Sequence, residues 1–127
     1  MTPLKSILFI LSLLAILLLS VDQPVAREQA PERGVKVTFV EIGSVNCIPC
    51  KAMQPIMKAV EEEYKGQVSV VFHDVWTSKG KADAAKYNIR IIPTQVFLDK
   101  DGKEYFRHEG YYPKVDVVRV LQMQGVR

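Results

Sequence analysis

Cys47 and Cys50 are the only cysteines in this chain of 127 residues, and only Ile48 and Pro49 stand between them. They lie where the alternating apolar run Val35-Lys36-Val37-Thr38-Phe39-Val40-Glu41-Ile42 gives way to a helical pattern beginning near Ala52. A strand that feeds a helix through Cys-x-x-Cys is a redox geometry. The amino end of a helix carries partial positive charge and unpaired backbone N–H groups. A thiolate placed there is stabilised, so the thiol ionises more readily. By this logic the outer Cys47 attacks and Cys50 resolves. Pro49 has no N–H to lose in a first helical turn and holds a helical φ. It therefore keeps the two sulfurs close whether or not they are joined.

Two other uses of the pair compete. Outside the cytoplasm a cysteine pair is often a structural bridge. A bridge across two residues closes so small a loop that it adds little to stability. Zinc needs about four ligands. Only His73 and His108 could join the cysteines, and neither has a paired-ligand spacing. No metal is expected, and no cofactor beyond the redox-active Cys47–Cys50 disulfide itself. The two histidines read as surface or hydrogen-bonded residues.

Several elements must position this pair. Val35, Val37, Phe39 and Glu41 share one face of the first strand; Lys36, Thr38, Val40 and Ile42 share the other. Both faces are apolar enough for an internal strand with helices on each side. Glu41 then either sits in the core, with its pKa raised by burial, or reaches water at the strand end. Over residues 51–65, Met53, Ile56, Met57, Val60 and Tyr64 recur at helical spacing. Pro55 lies inside this helix and Gly66 stops it. Residues 68–75 form a β-branched second strand, also expected to be internal. Trp76 begins a loop; it is expected to pack over the sheet, a substrate platform being the alternative. A short helix follows over 81–87.

Proline at the head of the strand Gln95-Val96-Phe97-Leu98 does not break the ladder. Asp99-Lys100-Asp101-Gly102 is a hairpin turn. The strand returning over 103–109 is polar enough for an edge. A final amphipathic helix over 115–123 has Val117, Val118, Val120 and Leu121 as its apolar set. The order predicts an α/β fold with a mixed four-stranded sheet covered by helices on both faces.

The amino end stands apart from this domain. Lys5 precedes a nearly pure apolar block over residues 7–19, the charged and hydrophobic regions of a secretory signal. The block is shorter than a comfortable span of about 20 residues, although counting from Leu4 to Val21 approaches one. Residues 1–21 are thus a signal peptide or a membrane anchor, residues 22–33 a linker with two prolines, and residues 34–127 the domain. In either case the domain lies outside the cytoplasm, in the periplasm or its equivalent. Seventeen Lys and Arg against fourteen Asp and Glu leave a net charge of only +3. No run of five like charges occurs, which argues against nucleic acid. Nothing points beyond a monomer.

From residue 35 to about residue 122 the chain resembles the thioredoxin family. The resemblance rests on Cys47-Ile48-Pro49-Cys50-Lys51, on Pro55 five residues beyond Cys50, on Ile89-Arg90-Ile91-Ile92-Pro93-Thr94, and on Gly110 after the hairpin. It implies a thioredoxin-like fold and thiol–disulfide oxidoreductase activity. It further implies a cis Ile92–Pro93 peptide against the disulfide. Ile92, Thr94 and Gly110, with Ile48 and Pro49, would meet the substrate. Glu41, six residues before Cys47, matches the family's buried acid and would relay a proton for Cys50. The chain departs from the family at Gly43 and Asn46, where tryptophans are usual, and at Ile48, where glycine is common. The family's additional amino-terminal strand and helix have no counterpart in residues 22–33. Lys51, Pro55 and the Ile-Pro-Thr segment are most similar to reducing members. An exported reductant implies a membrane electron donor, and clients among disulfide-bonded exported proteins, apocytochrome c being one candidate. An oxidase or isomerase, or a non-enzymatic binding module with a permanent bridge, are the alternatives.

Overall fold

The computed structural model describes residues 34–127. The segment 1–33, expected to hold the signal or anchor and the linker, lies outside the described residues. Among the described residues no helix is long and apolar enough to cross a membrane.

The elements run β1 (Val37–Gly43), α1 (Ile48–Glu63), β2 (Val68–Asp74), α2 (Ser78–Ala85), β3 (Thr94–Asp99), β4 (Glu104–Glu109) and α3 (Lys114–Gln122). The sheet order is β2-β1-β3-β4. β1 and β2 are parallel, joined by the α1 crossover; β1–β3 and β3–β4 are antiparallel. This is the expected mixed four-stranded α/β architecture.

The alternation in β1 divides the core. Val37 and Phe39 face α1 and α3, joining Met53, Ile56, Met57 and Val60 of α1 with Val117, Val120 and Leu121 of α3. Val40 and Ile42 face the other way, with Val96 and Ala84 of α2. Phe39 and Phe97, paired across β1 and β3, stack with ring centroids 4.9 Å apart. An offset aromatic pair of this kind adds about 1 kcal/mol beyond its burial.

Two expectations need correction. β2 is not internal: it pairs only with β1 and forms one edge of the sheet. Its two apolar faces reflect helices above and below, α1 on one side and α2 on the other, rather than strands on both flanks. The second helix begins at Ser78, not 81, because Thr77 caps it: its hydroxyl accepts the Gly80 N–H at 3.0 Å. Gly80, which reads as a loop residue, is buried in the first turn, where a Cβ would collide with the Asp74 carbonyl. The hairpin follows its turn chemistry. Asp99 Oδ1 accepts the N–H groups of Asp101 and Lys103 at 2.9 and 3.0 Å, and Gly102 has φ 77°.

Candidate active site

β1 ends at Gly43 and the chain turns through Ser44, whose hydroxyl accepts the Asn46 N–H at 3.2 Å. The Ser44 carbonyl receives the Cys47 N–H at 3.3 Å. This tight turn delivers Cys47 to the position just before α1, so the helix opens earlier than the apolar periodicity suggests. Cys47 and Cys50 are joined as a disulfide, with Cα atoms 5.1 Å apart. Cys47 is itself the cap of the helix: its sulfur accepts the Cys50 N–H at 3.3 Å. Pro49 falls in the first turn, where its missing N–H costs nothing. The two sulfurs differ in access. Cys47 is half-buried; Cys50 is fully buried.

Gly43 explains how Cys50 fits. A Cβ at position 43 would lie 3.1 Å from Cys50 Sγ and 3.6 Å from the Phe72 ring. The inner sulfur therefore occupies space that any side chain at 43 would contest. Glu41 lies two residues back on the same face of β1, about 6.6 Å along the strand. It is fully buried. Of the two positions open to it, the core is the one it takes. Its carboxyl has one hydrogen bond, from Gln95 Nε2 to Oε1 at 3.3 Å, and Oε2 has no partner among the described residues. Burial pushes its pKa up to about 8, with the Gln95 hydrogen bond opposing. A carboxyl in such surroundings is protonated at neutral pH.

The segment before β3 completes the site. Ile42 pairs with Thr94, so the start of β3 lies beside the end of β1. The Ile92–Pro93 peptide is cis. Pro93 is buried and Ile92 half-buried. Thr94 lies behind the surface: it is buried, and its hydroxyl donates to the Ile91 carbonyl at 2.6 Å. Its side chain shapes the loop and presents nothing outward. Gly110, with φ 92°, donates its N–H to the Pro93 carbonyl at 2.8 Å. Arg90 grips Glu109 through two hydrogen bonds, at 3.2 and 2.9 Å, tying the same loop to the end of β4.

Apolar side chains ring this end of the sheet. Ile48 is 83% exposed, Val45 53% and Ile91 51%. Trp76 does not pack over the sheet as expected; it is 66% exposed. Its neighbour Val75 donates to the Gly43 carbonyl at 2.9 Å, which places the tryptophan's loop at the disulfide end. The histidines are occupied elsewhere. His73 lies 3.6 Å from Asp83, and His108 stacks on Tyr112 with centroids 4.0 Å apart. Gln95 is the functional-site residue that sequence reasoning missed. Its one signal in the sequence was a polar side chain at the head of the apolar strand Gln95-Val96-Phe97-Leu98; its register with Glu41 is set by the fold.

A family model for a thioredoxin-like domain matches residues 23–124. Thioredoxins of Staphylococcus aureus, that of strain COL among them, are 31% identical over 85 residues, covering 67% of this chain and 79% of theirs. Among solved structures, a mutant thioredoxin from Halobacterium salinarum NRC-1 superposes with TM-score 0.62 at 21% identity, over 71% of this chain and 75% of that one. A malarial protein superposes with TM-score 0.63 at 16% identity, over 72% and 99%. These two show the fold. With a cysteine pair at the helix mouth and relatives of this identity, the chain belongs to the thioredoxin-like family and is a thiol–disulfide oxidoreductase.

Proposed function

We propose that this oxidoreductase works outside the cytoplasm as a reductase of disulfide-bonded exported proteins. The observation that carries the mechanism is the Cys47 sulfur at the mouth of α1, half-exposed and facing the Cys50 N–H at 3.3 Å. An anion there is stabilised by the hydrogen bond and by the helix dipole. In the reduced protein the Cys47 thiolate attacks one sulfur of a client disulfide. A Cys47–client bond forms and the client's other sulfur leaves as thiolate. In the minority of molecules whose Glu41 is ionised at neutral pH, Cys50 passes its proton to that carboxylate and attacks Cys47 Sγ. The Cys47–Cys50 bond forms, the second client sulfur leaves, and the client is reduced by two electrons. Recharging reverses the sequence. A donor thiolate attacks Cys47, and protonated Glu41 supplies the proton to Cys50 as it leaves.

Docking would use the exposed Val45, Ile48, Trp76 and Ile91 beside the sulfurs, with Pro93, Ile92 and Gly110 framing an extended client segment. Pro49 and Thr94 contribute by shaping the two loops. Location rests on the apolar block after Lys5, which reads as an export signal or an anchor. A membrane protein carrying electrons outward would supply the donor thiols. Apocytochrome c, which must be reduced before haem attachment, is one client of suitable chemistry.

Two variants test the mechanism. Cys47→Ser is expected to abolish insulin reduction, and Cys50→Ser to accumulate mixed disulfides with clients. Retained turnover in Cys47→Ser overturns the assigned nucleophile. The equilibrium of the Cys47–Cys50 couple against glutathione tests the direction. A couple that stays reduced in glutathione buffers favouring oxidation identifies an oxidase or isomerase instead.

A further inference from the structure

Glu41 and Gln95 face each other across β1 and β3, both fully buried. One hydrogen bond joins them, Gln95 Nε2 donating to Glu41 Oε1 at 3.3 Å. Two oxygens, Glu41 Oε2 and Gln95 Oε1, have no partner among the described residues. Both are acceptors while Glu41 is ionised, so neither can serve the other. A buried oxygen with no donor loses its water without replacement, and a half-satisfied polar pair is worse than an apolar one. A proton on Oε2 changes the count. The carboxyl then becomes a donor, and the amide oxygen is the acceptor still missing one. A carboxylic acid and a primary amide can close a ring of two hydrogen bonds, one in each direction.

We propose that Gln95 is a positioning residue for Glu41: its amide grips Oε1 and holds the proton of Oε2 until the leaving Cys50 sulfur takes it. This deepens the acid–base role proposed for Glu41 and rests on it. The step balances. A donor thiolate forms a bond to Cys47 Sγ, and the Cys47–Cys50 bond breaks with its electron pair on Cys50. That anion is a stronger acceptor than the amide oxygen, and the O–H turns from Gln95 to sulfur. Gln95 keeps its hold on the carboxylate through Nε2. Gly43, two residues from Glu41 on the same face of β1, has no side chain, and the inner sulfur packs into the space one would fill.

The test uses the disulfide form of the protein and dithiothreitol as the donor thiol. Gln95→Met keeps the chain length and removes the amide. Reduction of Cys47–Cys50 is expected to slow about tenfold in this variant, the worth of one hydrogen bond. The infrared stretch of the protonated Glu41 carboxyl, identified as the band missing in Glu41→Gln, should move to higher wavenumber as its hydrogen bonds are lost. In the Glu41→Gln background, Gln95→Met should slow reduction no further. Equal slowing in both backgrounds means a merely structural role and overturns the proposal. An unchanged rate in Glu41→Gln alone overturns instead the acid–base reading beneath it. If Gln95→Met does not fold, the wild-type protein decides. The Gln95 side-chain amide nitrogen must titrate with the same midpoint as the Glu41 carboxyl carbon, and an amide indifferent to that midpoint overturns the pairing.

Discussion

Cys47, Glu41 and Gly43 each answer to a different physical constraint. Cys47 accepts a helix N–H on its sulfur, so its thiolate is the stabilised one of the pair. In the reduced protein Cys47 should react with iodoacetamide at neutral pH at least about tenfold faster than Cys50, as peptide mapping of the alkylated sites would show. Glu41 ties stability to pH. Its carboxyl has an ordinary value of 4.5 and is raised by burial to about 8 in the folded chain. The folded state therefore binds more protons than the unfolded state between these values, and stability falls as pH rises through that window. The total is on the order of 5 kcal/mol at about 1.36 kcal/mol per unit. Urea unfolding from pH 4.5 to 8.5 should show the decline, and Glu41→Gln should flatten it. Gly43→Val would drive a branched side chain against Cys50 Sγ and the Phe72 ring. A loss of about 1–3 kcal/mol is expected in the oxidised protein, read from denaturant midpoints.

Capping and crossover geometry decide matters at the scale of elements. α1 starts at Ile48 because Cys47 caps it, so the first turn of the helix is also the redox motif. The periodicity of Met53, Ile56, Met57 and Val60 is legible in the sequence, but it begins one turn later than the helix does. An apolar stripe marks only the buried face, and the first turn here faces outward with Ile48 and Pro49 exposed. The same holds for α2, whose true start is announced by Thr77 and not by hydrophobic spacing. Thr77→Ala removes the acceptor for the Gly80 N–H. It should cost about 1 kcal/mol, measured by chemical denaturation, with insulin reduction nearly unchanged. β2 shows the converse limit. Apolar residues on both faces signal helices above and below the sheet; they do not say whether a strand lies on each side.

Across the described domain the sheet separates two cores that share β1. The Phe39–Phe97 stack anchors the core beneath α1 and α3, and β1 carries Glu41 on that same face. Phe39→Ala should cost about 3–5 kcal/mol. Because the loss opens the floor beneath α1, disulfide exchange should become less specific for Cys47; mapping of trapped mixed disulfides would show this. The proposed location is tested on the full chain. Expressed with residues 1–33 intact, the protein should be recovered outside the cytoplasmic membrane or bound to its outer face, and deletion of residues 1–21 should retain it in the cytoplasm.

Local chemistry was legible from order alone. Two cysteines with two residues between them, set between a strand and a helix, suffice for the redox pair, and the order of strands and helices for the α/β class; the proline behind the cysteines and the Ile-Pro-Thr segment add the family resemblance. Each of these depends on neighbours within a few residues, and short-range geometry is written directly in the chain. Partnership across strands was not. Whether Glu41 met water or the core, that Gln95 would face it, that Gly43 would make room for Cys50 and that Trp76 would stand outward depended on register and on which helix covers which face. Those are long-range packing outcomes, set jointly by distant segments, and only the folded domain decides them.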